Sequence, residues 1–178
     1  MSSLSTRPHF RVVLCQPEIP NNTGNIGRTC VATGCSLDLI KPLGFDTSEK
    51  ACRRAGLDYW PRLGVKEHDS LDSYLLTVQK PRIWVLTTKT TRSYYEADFQ
   101  PGDCLIFGRE TAGLPAELLS RYSDSCIRMP LVAGERSLNL ATAVCAVIFE
   151  GIRQLASKNQ IAIRGGNICE TAEFTEPA

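Results

Sequence analysis

Short uninterrupted apolar runs along this chain alternate with longer stretches in which apolar residues recur every three or four positions. The first run, Arg11-Val12-Val13-Leu14-Cys15, stops at Pro17 and Pro20 and predicts a buried strand entering a rigid loop. Leu37–Ile40, Ile83–Thr87, Cys104–Phe107 and Cys126–Met129 read as further strands. Helical spacing covers Ser48–Ala55, Ser70–Val78, Pro115–Tyr122 and Asn139–Ala156. The last of these aligns Leu140, Val144, Ile148, Ile152 and Leu155 along one side, and Pro115 suits a first helical position. Between the first two strands, Asn22 or Thr23 would cap a helix that turns Ile26 and Cys30 toward the core, with Gly34 as its stop. Strands separated by helix-sized segments predict an α/β fold with a mostly parallel sheet flanked by helices, in which ligands collect at loops leaving the carboxyl ends of strands.

The 178 residues, 43% of them hydrophobic and 22% charged, fit one domain able to bury a core without disulfide or metal staples. Lysine and arginine total 20 against 19 acidic residues, which excludes nucleic-acid binding by bulk charge and confines any RNA contact to a local patch. None of the eight cysteines stands in a Cys-x-x-Cys pair, and several sit in apolar runs, so they read as free thiols in a reducing, cytoplasmic compartment. His9 and His68, the only histidines, lack neighbouring ligand patterns and read as surface residues, giving no metal site and no histidine triad. No apolar run approaches the ~18 residues of a membrane span, so no membrane partner is expected. The expected organisation is an N-terminal extension over 1–10, a single domain over 11–157 and a flexible tail over 158–178. That tail holds Gly165-Gly166 and, from residue 161 onward, one cation, Arg164, against Glu170, Glu173 and Glu176.

Three polar loops carry the candidate chemistry. In the first, Pro17–Arg28, the amides Asn21 and Asn22 serve either as turn and cap residues or as ligand contacts, and Arg28 offers a fork for a phosphate or a salt bridge. The second, Phe107–Pro115, follows a strand and contains Gly108 and Gly113, but it is neither a dinucleotide fingerprint nor a P-loop. In it, Glu110 is a helix-start carboxylate, an arginine partner or a ligand anchor. The third, Arg128–Leu140, makes Ser137 a natural N-cap and places Asn139 where a buried amide needs partners. Arg53-Arg54 and Asp58-Tyr59-Trp60 combine charge with aromatic faces, as single-stranded RNA sites do, or else form a packed interface.

Five ordered stretches over residues 11–156 resemble the SPOUT superfamily of knotted RNA methyltransferases, and among them the small tRNA (cytidine/uridine-34) 2'-O-methyltransferase group. They are Pro17–Arg28, Pro42-Leu43-Gly44-Phe45, Arg54–Tyr59, Phe107–Pro115 and Arg136-Ser137-Leu138-Asn139-Leu140. The resemblance implies a C-terminal-side trefoil knot, a bent S-adenosyl-L-methionine, a homodimer, and 2'-O-methylation of the wobble nucleotide on a tRNA anticodon stem-loop. It implies catalytic roles for Asn22, Arg28, Glu110, Ser137 and Asn139. Cofactor contacts fall on Leu86, Thr87, Gly108, Glu110, Gly113, Ile127, Leu131, Ser137 and Leu138, and RNA contacts on Arg28, Arg53, Arg54 and Tyr59. Two departures lie beside the matched residues: Arg109 replaces a common proline, and Glu135 a common serine. The competing readings are a catalytically silent RNA-binding dimer of the same fold, methylation of another RNA ribose, and a nucleotide-binding regulator on an open sheet.

Overall fold

Six parallel strands make one sheet in the computed structural model, which describes residues 8–170. They are β1 (Phe10–Cys15), β2 (Ser36–Ile40), β3 (Lys66–His68), β4 (Ile83–Leu86), β5 (Asp103–Phe107) and β6 (Cys126–Ile127). Parallel pairing requires crossovers. α1 (Pro20–Thr33) joins β1 to β2; α2 (Glu49–Arg54) and α3 (Trp60–Leu63) lie between β2 and β3; α4 (Leu71–Leu75) precedes β4; α5 (Ala116–Arg121) precedes β6; and α6 (Leu140–Ser157) follows it. The order across the sheet is β3-β2-β1-β5-β4-β6, with Val12 opposite Leu105 and Leu14 opposite Phe107 where β1 meets β5. Winding reverses at that junction, and the loops leaving β1, β4, β5 and β6 gather at one end, where such folds hold ligands.

Layers on both faces explain why the strands read as unbroken apolar runs. Val12 and Leu14 of β1 join the core beneath α1 and α6, while Val13 and Cys15 face a smaller core with Tyr74 and Leu114. Helix α6 has the length and, at a mean hydropathy of 1.3, the composition of a membrane span. Its stripe of Val144, Val147, Ile148, Ile152 and Leu155 is instead buried in the protein core.

The helix termini depart from expectation. Neither Asn22 nor Thr23 caps α1: the helix starts at Pro20, whose fixed φ suits the first position, and both polar residues lie buried within the first turns. Ile26 and Cys30 are fully buried, and Gly34 ends the helix at φ 64. Asn139, not Ser137, caps α6, its Oδ1 accepting the N–H groups of Ala141 at 2.9 Å and Thr142 at 3.3 Å. Both histidines are tied inward. His68 Nε2 lies 2.8 Å from Asp38 Oδ1, and His9 Nδ1 donates to the Thr33 carbonyl. Within the expected tail, β7 (Ile161–Arg164) and β8 (Asn167–Glu170) pair as a hairpin around Gly165-Gly166, both at positive φ. Ile161 and Ile168 anchor it to the core, apolar contacts that outweigh the polar look of the segment. Residues 1–7 and 171–178 of the expected extension and tail lie outside the described residues.

Candidate active site

At the carboxyl ends of β4, β5 and β6, loops enclose a cavity of about 690 Å³. Leu86, Thr87 and Thr88 form one wall, Gly108–Leu114 a second, Leu131 and Arg136–Leu140 a third; Ile19 and Asn22 close the side from the β1–α1 loop. The second wall folds back on itself through paired backbone bonds, Arg109 N–H to Gly113 O at 3.1 Å and Gly113 N–H to Arg109 O at 2.9 Å. A Cβ on residue 108 would stand 2.3 Å from the Gly113 carbonyl carbon, so only glycine permits that closure.

A line of side-chain hydrogen bonds ties the three loops together. Glu110 Oε2 accepts the Glu18 N–H at 2.9 Å, and its Oε1 accepts the Ile19 N–H at 3.3 Å and the Asn22 side-chain amide at 3.0 Å. Asn22 Oδ1 in turn accepts the Asn139 amide at 2.9 Å, and Asn139 Oδ1 holds the start of α6. The polar atoms of Glu110, Asn22 and Asn139 are thus engaged in joining residues up to 117 positions apart, which makes these side chains struts between loops. A reverse bond comes from the other carboxylate: Glu18 accepts the Thr111 N–H at 3.0 Å and its hydroxyl at 2.9 Å. Those two donors, with the nearby Arg109 charge, hold the Glu18 carboxyl below its ordinary pKa.

Of the residues expected at the cofactor, Leu86, Thr87, Gly108, Glu110, Gly113, Leu131, Ser137 and Leu138 all line the cavity. Ile127 does not; it is fully buried beneath the floor, paired with Leu86 in the β4–β6 ladder. Arg28 is also absent from the lining. At 100° per residue, Asn21, Asn25, Arg28 and Ala32 share an exposed stripe of α1 about a quarter-turn from the buried Asn22. The Arg28 guanidinium lies 4.6 Å above the Tyr59 ring and 3.8 Å from Asp58.

Tyr59, expected as a stacking surface for RNA, is 2% exposed, covered by Arg28, and donates its hydroxyl to the Gly24 carbonyl. Its packing against α1, beside Leu57 and Trp60, withdraws the ring from any base. Arg53 and Arg54 close α2; Arg54 is exposed and is not part of the cavity lining. Sequence reasoning missed the Glu18–Thr111 pairing, and the cations Lys89, Arg109 and Arg136 lie in the cavity lining. The one signal for the pairing was a carboxylate between the two prolines of the first loop. Among the described residues, no three His, Cys, Asp or Glu side chains cluster as a metal site.

An α/β sheet that winds in two directions and gathers three glycine- and amide-bearing loops around one cavity defines a ligand-binding class. The chain itself supplies the family: residues 9–149 match the SpoU rRNA Methylase family, and the protein belongs to it. It is 45% identical over 147 residues to the tRNA (cytidine(34)-2'-O)-methyltransferase of Saccharophagus degradans (strain 2-40), covering 82% of this chain and 96% of that protein. The Escherichia coli (strain K12) protein of the same name is 45% identical over 147 residues, covering 82% and 94%. A solved structure described as "Structural insights into the 2-OH methylation of C/U34 on tRNA" superposes with a TM-score of 0.77 at 44% identity, over 83% of this chain and 97% of that one.

Proposed function

We propose that this chain is an S-adenosyl-L-methionine-dependent tRNA ribose 2'-O-methyltransferase that acts, as a homodimer, on wobble nucleotide 34, a cytidine or a modified uridine. The observation that carries the reading is the Glu110–Asn22–Asn139 line of hydrogen bonds closing three loops around one cavity. It occurs in a chain sharing 45% identity over 82% of its length with an enzyme named for that reaction.

The residues present fit the donor. A cavity of about 690 Å³ lies within the range of small-molecule sites. Leu86, Leu131, Leu138 and Leu140 would pack against the adenine, and the Thr87 and Ser137 hydroxyls stand ready for polar edges. Among the charged lining residues Glu110 is the carboxylate, and the cations Lys89, Arg109 and Arg136 suit the donor's own carboxylate or an RNA phosphate. When bound, the donor provides an electrophilic methyl group on sulfur. The chain's own work is to hold the loops closed, to exclude water with the leucine wall, and to align a ribose oxygen with that methyl group, since positioning is the main catalytic lever for such a transfer. Arg28 acts on the RNA phosphate or the 2'-oxygen as a donor of hydrogen bonds; a guanidinium has no acceptor for a proton.

The position of Arg28, outside the cavity lining, supports the homodimer in this reading. The exposed stripe of α1 adjoins the uncovered face of α6, where Asn25, Thr142, Cys145, Ala146 and Phe149 line a shallow depression, Phe149 being 53% exposed. Two-fold pairing of these faces would bring Arg28 of one protomer to its partner's cavity and complete the site. The knot belongs to the same proposal. Its support is the path after β6: Arg128 N–H bonds to Arg92 O, and Tyr94 N–H to Arg128 O, drawing the chain along the segment that leaves β4. The eight free thiols suit a reducing, cytoplasmic setting.

Purified protein, labelled donor and total tRNA, followed by nucleotide mapping, should give ribose methylation at position 34. RNA binding without transfer would replace the reading with the silent RNA-binding dimer. Arg28→Ala should cut transfer by about 1,000-fold, a loss of roughly 4 kcal/mol of transition-state stabilisation, with donor-product affinity unchanged. Loss of that affinity in calorimetry would move Arg28 into the donor site.

A further inference from the structure

The two carboxylates at the cavity rim exchange partners in opposite directions. Glu110, on the second loop, accepts the backbone N–H groups of Glu18 and Ile19. Glu18, on the first loop, accepts both the N–H and the hydroxyl of Thr111. Residues 18–19 and 110–111 therefore clasp each other at four points, and no lysine or arginine takes part in these bonds. The Arg109–Gly113 pairing closes the second loop on itself but does not fix where its tip stands relative to the first. The tip, Arg109–Ala112, is one wall of the cavity, so its position decides whether that wall is in place before a ligand arrives. Glu110 is additionally tied to Asn22, which leaves the Thr111 side of the tip dependent on Glu18.

We propose that Glu18 is a positioning residue for the donor wall: acting through Thr111, it holds the 108–113 loop against the first loop and preorganises the cavity for S-adenosylmethionine. This rests on the donor reading given above. Charge-assisted bonds from a backbone N–H and a hydroxyl to one carboxylate are worth more than neutral ones, and a wall set beforehand spares the ordering cost on binding. Glu18 and Thr111 sit at the solvent rim and contribute nothing to the apolar core. A merely structural role would therefore appear in thermal stability and not in ligand affinity.

The test uses full-length protein and S-adenosylhomocysteine as the probe. Calorimetry should show about tenfold weaker binding for Glu18→Gln and about threefold for Thr111→Val, with the double variant no weaker than Glu18→Gln alone because the two act as one unit. The donor-free melting temperature should stay within about 1 °C of wild type. Hydrogen exchange at the Thr111 amide, also measured without donor, should speed up in Glu18→Gln. Unchanged affinity in Glu18→Gln, additive single effects, or unaltered Thr111 exchange would each overturn the clasp. Failure of the wild-type protein to bind the probe would overturn the donor reading, and Thr111 exchange would still decide whether Glu18 holds the loop.

Discussion

The two ends of β5 carry the same chemistry in opposite settings. At its start, Asp103 is 1% exposed and accepts from Arg82 Nε at 3.0 Å, the Trp84 indole at 2.8 Å and the Gln100 N–H at 2.9 Å. Beyond its far end, Glu110 also accepts three N–H donors, but it faces a cavity. Asp103 draws on residues 82, 84 and 100, which stand along the neighbouring strand and the approach to β5 itself. Glu110 draws on a loop about 90 positions away in sequence. A carboxylate satisfied by its own surroundings seals the sheet. One satisfied by a distant loop makes the position of that loop depend on it, so the same number of bonds serves stability at one end and site geometry at the other.

The comparison is most exposed at Asp103. Asp103→Ala strands the buried Trp84 indole N–H, removes the partner of the Gln100 N–H, and leaves Arg82 with Asp98 alone. Unfolding stability should fall by about 3 kcal/mol, read from urea titration, while transfer per folded molecule is preserved. A variant of normal stability and lost activity would erase the distinction between the two ends. Glu110→Gln should do the reverse. Its amide presents an N–H toward groups that are themselves N–H donors, so about 2 kcal/mol of donor-product affinity, roughly 30-fold, should go, with less than about 1 kcal/mol of stability. If Glu110→Gln unfolded the protein as readily as the Asp103 variant, the cavity end would be structural too.

The same contrast governs what could be read from the amino acids. The central strands were legible because both of their faces are buried and only apolar runs satisfy that; the observed β1, β2, β4 and β5 lie within a residue or so of expectation. β3 was not, since Lys66-Glu67-His68 is a polar edge strand, recruited by pairing with β2 and not by composition. At the site, the loops that line the cavity were foreseen, but not the division of labour within them. Ser137 and Asn139 are both good caps, and the choice of Asn139 depends on Asn22 accepting its other amide atom, a contact across 117 positions. Tyr59 shows the same limit. An aromatic beside two arginines suits RNA, but here Gly27 and Leu57 give the ring an apolar seat against α1. The C-terminal hairpin hid behind polar composition because Ile161 and Ile168 earn their meaning only from the surface they cover.

The smallest effect concerns acid. Thr111's N–H and hydroxyl, then Arg109, hold the Glu18 carboxyl below its ordinary pKa. For an acid whose folded value is lowered, the stabilising contribution is complete above the ordinary carboxylate range, near pH 4.3, and is lost as pH falls through the lower folded value. The ratio of wild-type to Glu18→Gln affinity for S-adenosylhomocysteine should therefore stay near its neutral value down to about pH 4.5 and shrink toward one below it. Asp98 and Glu150, also lowered by their bonds to Lys158 and Arg153, weaken the whole fold in the same acid window, but equally in both proteins, so the ratio isolates Glu18. A ratio that did not move with pH would mean that the shape of the Glu18 side chain, and not its charge, holds the loop.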